Sequence, residues 1–252
     1  MKRLLVLGLL TTLSLSNALA VGVFIPGNRK LGDVPSNPGD GLCGFYWDAG
    51  PYYTNEDALA FSNANTAQGE FVSTNVDYSN GMEDVVPDET LLTNFLGFDA
   101  GTLTGGVGSN VLETSVFRFQ GGIAIRPEYD LDLAAPGITV RFDLGSDDGS
   151  GMNVADITVI ENGGDHGFGF QGNFATFEDP GLYPVDLVYY ENFGVTGVEW
   201  YSSITGGPDS GRPDGGSVGI VPTSSLYCLV PEPATFAALG LGALTLMRRR
   251  RK

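Results

Sequence analysis

Residues 138–151 read Ile-Thr-Val-Arg-Phe-Asp-Leu-Gly-Ser-Asp-Asp-Gly-Ser-Gly. In the first half of this stretch, from Ile138 to Leu144, apolar side chains alternate with polar ones, which is the period-two pattern of a strand with one buried face. The glycine, serine and aspartate residues that follow are typical of turns, because Asp and Ser bond to nearby amides and glycine accepts positive φ. The stretch therefore predicts a strand that ends in an acidic turn at Asp147 and Asp148.

Strand patterns continue on both sides of this stretch. Residues 184–190 and 198–201 alternate in the same way, and residues 117–125 predict two short strands separated by a break at Gly121-Gly122. The best candidate for a short helix is residues 90–96. Strands joined by Gly, Asp and Asn turns, without crossover helices, predict an all-β fold: a two-sheet antiparallel β-sandwich or barrel.

The N-terminal end differs in composition from the body of the chain. Two cations precede an apolar stretch that ends at Leu15, and Ala18-Leu19-Ala20 offers the small residues of a secretory cleavage site. We therefore expect residues 1–20 to be a signal peptide with a helical apolar core, recognised by the Sec machinery and removed by signal peptidase. Residues 21–40, rich in Gly, Pro, Asn and Asp, predict a linker.

Residues 230–252 have three parts in a defined order. The tripeptide Pro231-Glu232-Pro233 cannot enter a regular helix or an inner strand, and the next 14 residues, 234–247, form an apolar run. The run ends in five consecutive cations: Arg248, Arg249, Arg250, Arg251 and Lys252. Such cations remain on the cytoplasmic side of a bilayer, so the segment predicts a hydrophobic transmembrane helix with the body of the protein outside.

This order of parts resembles the PEP-CTERM sorting signal of exported bacterial proteins. The resemblance implies a partner, exosortase, a membrane enzyme that cuts near Pro-Glu-Pro and passes the body on to the cell envelope. The membrane anchor would then be transient, which agrees with an apolar run shorter than the ~20 residues that span a bilayer comfortably. The alternative is an ordinary C-terminal anchor.

The body between the two terminal segments is strongly acidic. Of the 13 Lys and Arg residues, two lie in residues 1–20 and five in residues 230–252, so six remain in the body; of the 30 Asp and Glu residues only Glu232 lies outside it, so 29 remain and the net charge is about −23. Such a charge repels nucleic acid and anionic lipid, and both are excluded as partners of the exported body. It is compatible with divalent cations and neutral glycans.

Two cysteines, Cys43 and Cys228, lie near the two ends of the body. In an oxidising compartment an even pair predicts one disulfide, which would join the first and last strands of the domain. Two separate thiols are the alternative. The spacing excludes a Cys-x-x-Cys metal or redox site.

Several motifs in residues 41–228 together resemble a known domain family. They are the acidic turn after the strand at 138–144, Gly163-Gly164-Asp165-His166-Gly167, Gly181-Leu182-Tyr183-Pro184, and Tyr189-Tyr190-Glu191-Asn192-Phe193-Gly194. They are similar to motifs of the protective-antigen-type domain, which is also found in fungal flocculin adhesins and next to glycosidases. The resemblance implies a two-sheet β-sandwich over residues 41–229, with carbohydrate binding as its function.

In sugar-binding members of this family, an Asp-Asp pair, often joined by a cis peptide, holds Ca²⁺ with the help of an Asn from a neighbouring loop. Asp147 and Asp148 match the pair, Asn192 is the best match for the Asn, and Glu191 is a neighbouring acid that could replace it. Ca²⁺ takes six to eight oxygen ligands, so sugar hydroxyls could complete the set. The resemblance thus implies that Asp147, Asp148 and Asn192 bind calcium and glycan together. The alternative is that Ser-Asp-Asp-Gly-Ser serves only as a turn.

His166 is the only histidine in the chain, which excludes histidine-rich zinc sites. Its position beside Asp165 among glycines favours a hydrogen bond that stabilises a turn over a role in catalysis. We therefore expect a non-catalytic, envelope-sorted protein that binds extracellular polysaccharide or another glycan with the aid of calcium. The alternatives are a structural matrix protein without a small ligand and a glycan-active enzyme.

Overall fold

The computed structural model describes residues 22–79, 85–131, 136–205 and 218–229. The predicted signal peptide, the predicted C-terminal helix and the whole Pro-Glu-Pro tripeptide lie outside these residues. None of the helices in the described ranges is both long enough and apolar enough to cross a membrane.

The described residues form strands, two α-helices and short 3₁₀ turns. In chain order the strands are β1 (Val23–Ile25), β2 (Leu42–Asp48), β3 (Gly69–Ser73), β4 (Asp77–Tyr78), β5 (Val86–Pro87), β6 (Ser115–Ile125), β7 (Ile138–Asp147), β8 (Ser150–Val154), β9 (Ile157–Asn162), β10 (Gly169–Phe177), β11 (Gly181–Glu191), β12 (Val195–Ser202), β13 (Gly219–Ile220) and β14 (Leu226–Tyr227). The helices are α1 (Asn55–Ala64) and α2 (Leu92–Leu96). The 3₁₀ turns are Gly27–Arg29, Gly97–Thr102, Pro127–Tyr129, Ser203–Thr205 and Thr223–Ser225.

The strands are arranged in two sheets that pack on each other. The first sheet has the order β1-β10-β7-β12-β13, and β4 and β5 also pair with β12. The second has the order β3-β2-β6-β11-β8-β9, and β14 also pairs with β6. Almost all neighbours are antiparallel, while β1 runs parallel to β10. The predicted all-β, two-sheet sandwich is confirmed.

The core between the sheets is rich in aromatic side chains. Phe117 of β6 lies 5.7 Å from Tyr189 of β11 and 5.4 Å from Phe95 of α2, measured between ring centroids. Phe119 stacks on Tyr78 at 5.8 Å. All five rings are fully buried, so hydrophobic burial and ring packing at this layer hold the two sheets together.

A second, smaller apolar cluster lies on the outer face of the second sheet, where α1 covers it. Its buried members are Trp47, Ala58, Val116, Val188 and Tyr190. The sequence prediction missed α1, because this helix faces the sheet mainly with small residues and lacks a wide apolar stripe. A local signal was present: Thr54 caps the helix by accepting a hydrogen bond from the Asp57 N–H at 3.1 Å.

The predicted break at Gly121-Gly122 is wrong, because β6 continues through both residues to Ile125. The glycines instead allow the backbone of β14 to lie close to that of β6. A Cβ on Gly121 would lie 2.1 Å from the carbonyl oxygen of Tyr227, where β14 pairs with β6. Glycine is therefore needed at position 121 so that the end of the domain can lie on the second sheet.

Part of the segment predicted to be a linker belongs to the domain. Residues 23–25 form β1, which pairs with residues 175–177 of β10 and places Ile25 in the core. The prediction for residues 21–40 was therefore wrong at this strand, because β1 is stabilised by long-range pairing that a three-residue pattern does not reveal.

The predicted disulfide between Cys43 and Cys228 is present. It joins β2 to the residue that follows β14, across a sequence separation of 185 residues. The last described part of the chain, residues 226–229, is thereby fixed covalently to the second sheet.

Candidate functional site

Three buried carboxylates meet at one end of the sandwich. Asp147 ends β7, Asp148 follows it, and Glu191 ends β11. One oxygen atom of each lies within 4.8 Å of the corresponding atoms of the other two, and their residues are 5%, 1% and 0% exposed. We call these three residues the carboxylate cluster.

The two aspartates are held by main-chain donors from neighbouring loops. Asp147 accepts the Phe168 N–H at 2.8 Å. Asp148 accepts the His166 N–H at 3.0 Å through Oδ1 and the Asn192 N–H at 3.0 Å through Oδ2. The peptide bond between the two aspartates is cis. Each carboxylate is thus oriented by backbone rather than by a flexible side chain.

Glu191 is less well satisfied than the aspartates. Its Oε2 accepts the Tyr189 hydroxyl at 3.2 Å, and that hydroxyl also donates to the Asp147 carbonyl oxygen at 2.6 Å. Its Oε1 is buried and has no hydrogen-bond partner among the described residues. A buried carboxylate oxygen without a donor is costly, so the cluster is incomplete as protein alone.

The electrostatics agree with this geometry. Burial, reinforced by the charges of Asp148 and Asp147, raises the pKa of Glu191 to about 9. Burial and the Asp148 charge raise the pKa of Asp147 to about 6, and burial also raises the pKa of Asp148. Three carboxylates that resist ionisation together require either protons or a cation.

Asn192 lies next to the cluster, but its side chain has another task. Its Oδ1 accepts the Tyr52 N–H at 2.8 Å, and its Nδ2 donates to the Tyr52 carbonyl oxygen at 2.7 Å. The main-chain N–H of Asn192 is the group that contacts Asp148. The structure therefore brings Glu191, rather than the Asn192 side chain, to the aspartate pair.

Periodicity along β11 contained a signal for Glu191. Val185, Leu187 and Tyr189 all point into the core, and Glu191 is the next residue in that series. An acid at the inward end of a buried strand is unusual and indicates a partner. Asn192 lies one residue beyond the strand, where strand alternation no longer decides side-chain direction.

The loop of residues 163–168 contacts both aspartates of the cluster and is held from two sides. The Gly164 N–H donates to the Tyr190 hydroxyl at 2.7 Å. The His166 ring contacts the carbonyl oxygens of Gly167 and Asn162 at 3.0 and 3.1 Å. His166 therefore has the role in the turn that its sequence context favoured, and its main chain also positions Asp148.

The cluster fits a hard divalent cation. It offers carboxylate oxygens only, one of them without a donor, and Ca²⁺ prefers oxygen ligands. Asp147, Asp148 and Glu191 are the residues that could hold such an ion. No Cys or His side chain belongs to the cluster within the described residues, so its donor set does not suit zinc.

Comparisons with known proteins agree with the predicted sorting signal and with the predicted fold of the body. Residues 229–252 match the PEP-CTERM protein-sorting motif. No curated protein sequence shows significant similarity to the chain.

Solved structures share the fold of the body. One is the PA14 sugar-binding domain from an RTX adhesin, with 23% identity, a TM-score of 0.56, and coverage of 76% of this chain and 99% of that domain. Another is the PA14 domain of the MpAFP antifreeze protein, with 20% identity, a TM-score of 0.59, and coverage of 78% and 94%. The protein thus has a protective-antigen-type fold followed by a PEP-CTERM sorting motif.

Proposed function

We propose that this protein is an exported, envelope-sorted and non-catalytic glycan-binding protein whose site is organised by Ca²⁺. The observation that carries the proposal is the carboxylate cluster, in which three buried acids converge and one oxygen has no donor. A fold in common with a domain whose name records sugar binding supports the ligand class.

Asp147, Asp148 and Glu191 would hold the ion, and its bound charge would lower the repulsion among them. Main-chain N–H groups of the loop of residues 163–168 keep the aspartates in place. Carbonyl groups and sugar hydroxyls would complete the six to eight oxygens that Ca²⁺ takes. The protein needs only to position the ion and the sugar, and no bond is made or broken.

Aromatic side chains flank the cluster at the same end of the sandwich. Asn192 clamps the main chain of Tyr52, and the residues next to these two, Phe193 and Tyr53, are 54% and 56% exposed. Exposed rings offer an apolar surface to the C–H face of a sugar. We therefore place the glycan over the loops around residues 53 and 193.

Export and sorting follow from the two ends of the chain. The signal peptide directs the chain to the Sec machinery and signal peptidase, and the C-terminal motif directs it to exosortase through Pro231-Glu232-Pro233. The arginine cluster would hold the precursor in the membrane until the body passes to the envelope or the extracellular polysaccharide. The extracellular matrix is the setting that suits a soluble, acidic body of this kind.

A glycan array tests the function directly. The exported body should bind one class of glycan in Ca²⁺ and lose that binding in chelator, and Asp147→Asn should bind no better than the chelated wild type. Asp156→Asn is the matched control, because Asp156 is exposed and its positive φ of 60° suits Asn. Calcium-independent binding, or none with any glycan, would contradict the proposal.

A structural matrix protein remains the second candidate, and one observation favours it. The cluster is closed by main-chain hydrogen bonds, and a raised pKa lets Glu191 remain protonated at neutral pH without an ion. If the protein is a structural matrix protein, its thermal stability should be equal in Ca²⁺ and in chelator, and the glycan array should show no binding.

A further inference from the structure

The point at which the sorting tail leaves the body is fixed. Cys228 is bonded to Cys43 of β2, and the Tyr227 hydroxyl donates to the Asn37 carbonyl oxygen at 2.7 Å. Leu229, the last described residue, is 39% exposed. Pro231 is only two residues further on.

This exit point lies on the outer face of the second sheet. Cys43, Phe45 and Gln120 point outward from β2 and β6, since Leu42, Tyr46 and Phe119, which alternate with them, are in the core. Two cavities on this face lie beside Leu229, with volumes of about 470 and 310 Å³, and Leu229 and Gln120 line both. Phe45 and Val72 give the larger cavity an apolar lining.

The length of the tail limits where its partner can be. From Leu229 to Ala234, the first residue of the apolar run, there are five residues, which span at most about 18 Å. A membrane enzyme that cuts near Pro231-Glu232-Pro233 while residues 234–247 are in the bilayer must therefore come within about 18 Å of Leu229. The disulfide fixes Cys228 on the second sheet, so only the few residues after Leu229 set the distance between the body and the enzyme.

We propose that the outer face of the second sheet around Leu229, including Phe45 and Val72, is the surface on which the membrane-embedded sorting enzyme docks. This inference rests on the proposed export and sorting. The same geometry keeps the proposed glycan site free during processing, because the two sites lie at opposite ends of β6. Ser115 pairs with Glu191 of the carboxylate cluster, and Gly122 pairs with Tyr227, next to the start of the tail. Seven residues of strand separate them by about 23 Å.

Charge favours a protein partner over lipid headgroups. The body carries a net charge of about −23, and Glu70 and Asp156 lie at the two cavities. An anionic bilayer surface is repelled by such a face. A protein with an apolar contact ringed by basic residues is complementary to it.

Photo-crosslinking in cells tests the surface, with the full-length precursor and an exosortase made inactive so that the two stay together. A benzoyl-phenylalanine replaces the half-buried Phe45 in one variant and Phe24 in the control. Phe24, on β1 of the first sheet, is 55% exposed, so its greater accessibility works against the expected result. We expect Phe45 crosslinks to the enzyme at least fivefold above those from Phe24. A third variant, with ten Gly/Ser residues inserted after Leu229, should lose most of the Phe45 signal.

Equal crosslinking from both positions would overturn the proposed surface, and so would a Phe45 signal confined to lipid or unchanged by the inserted spacer. Disulfide formation in each variant reports that it has folded. Failure of the sorting assignment is recognised separately: the precursor would then be absent from the membrane fraction before any crosslinking.

Discussion

Two buried acidic regions of this protein have opposite arrangements. Asp99, 2% exposed, is surrounded by donors: Oδ1 accepts the Thr74 hydroxyl at 2.9 Å, and Oδ2 accepts the Thr74 N–H at 3.1 Å and the Tyr78 hydroxyl. The carboxylate cluster instead places three acids against one another and leaves an oxygen of Glu191 without a donor.

The difference separates a structural acid from the proposed ion site. Around Asp99 the protein supplies the donors itself, so the buried carboxyl group stabilises the loop that holds Thr74. In the carboxylate cluster there are too few hydrogen-bond donors to stabilise three negative charges, so a cation or bound protons would be needed to neutralise them. Burial of an acid is therefore not by itself a sign of an ion site; the proposal for the carboxylate cluster rests on its shortage of donors.

The largest effect that we expect comes from the structural acid. Asp99→Ala should lower the free energy of unfolding by ~3–4 kcal/mol, because the Thr74 N–H and the Tyr78 hydroxyl lose a buried acceptor. Urea unfolding should give the same loss in Ca²⁺ and in chelator, while Glu113→Ala, an exposed control, stays near wild type. A loss that appears only in Ca²⁺ would remove the distinction between the two regions.

The carboxylate cluster should respond to the ion instead. Ca²⁺ at 100 times its dissociation constant should stabilise the wild type by ~2.7 kcal/mol, which raises the melting temperature by roughly 5–10 °C. Differential scanning calorimetry should show this shift for the control Asp156→Asn and none for Asp147→Asn. An unchanged wild-type melting temperature would favour the matrix protein.

The raised pKa of Glu191 predicts that the stability of the protein in chelator depends on pH. Its pKa in the folded protein is raised from 4.5 to about 9, so the folded state binds the proton more tightly than the unfolded state, and stability falls as pH rises between these values. Asp147 adds to the loss in the lower part of this range, up to its pKa of about 6.

Glu191→Gln should remove about 2.5 kcal/mol of the stability lost between about pH 6 and pH 8. Urea unfolding in chelator at the two pH values measures this, with Glu89→Gln as the exposed control. A slope as steep as that of the wild type would show that Glu191 is not the group responsible.

The smallest expected effect tests whether the Asn192 side chain only holds the Tyr52 main chain or also binds the ion. Asn192→Ala should lower the free energy of unfolding by about 2 kcal/mol, because two hydrogen bonds to the Tyr52 main chain are lost at ~1 kcal/mol each. Calorimetric Ca²⁺ affinity should change less than threefold, since the Asn192 N–H that orients Asp148 remains. If affinity fell as far as in Asp147→Asn, the Asn192 side chain would be a ligand after all.

Local patterns predicted much of this fold. The alternation from Ile138 to Leu144 indicated β7, and the turn residues after it placed Asp147 and Asp148 at its end, because side-chain direction and turn chemistry depend on neighbours in sequence. The same reasoning failed at β1 and at Gly121-Gly122, where pairing with residues far along the chain decides the conformation.

The sequence by itself determined an acidic β-domain with an aspartate pair after a strand and a sorting motif at its C-terminus, since these are written in composition and short patterns. Only the tertiary structure decided that Glu191 joins the pair while the Asn192 side chain clamps Tyr52. It also decided that Leu229, the last described residue before the tail, lies on the outer face of the second sheet. These are consequences of sheet packing and register, which bring together residues that are distant in the chain.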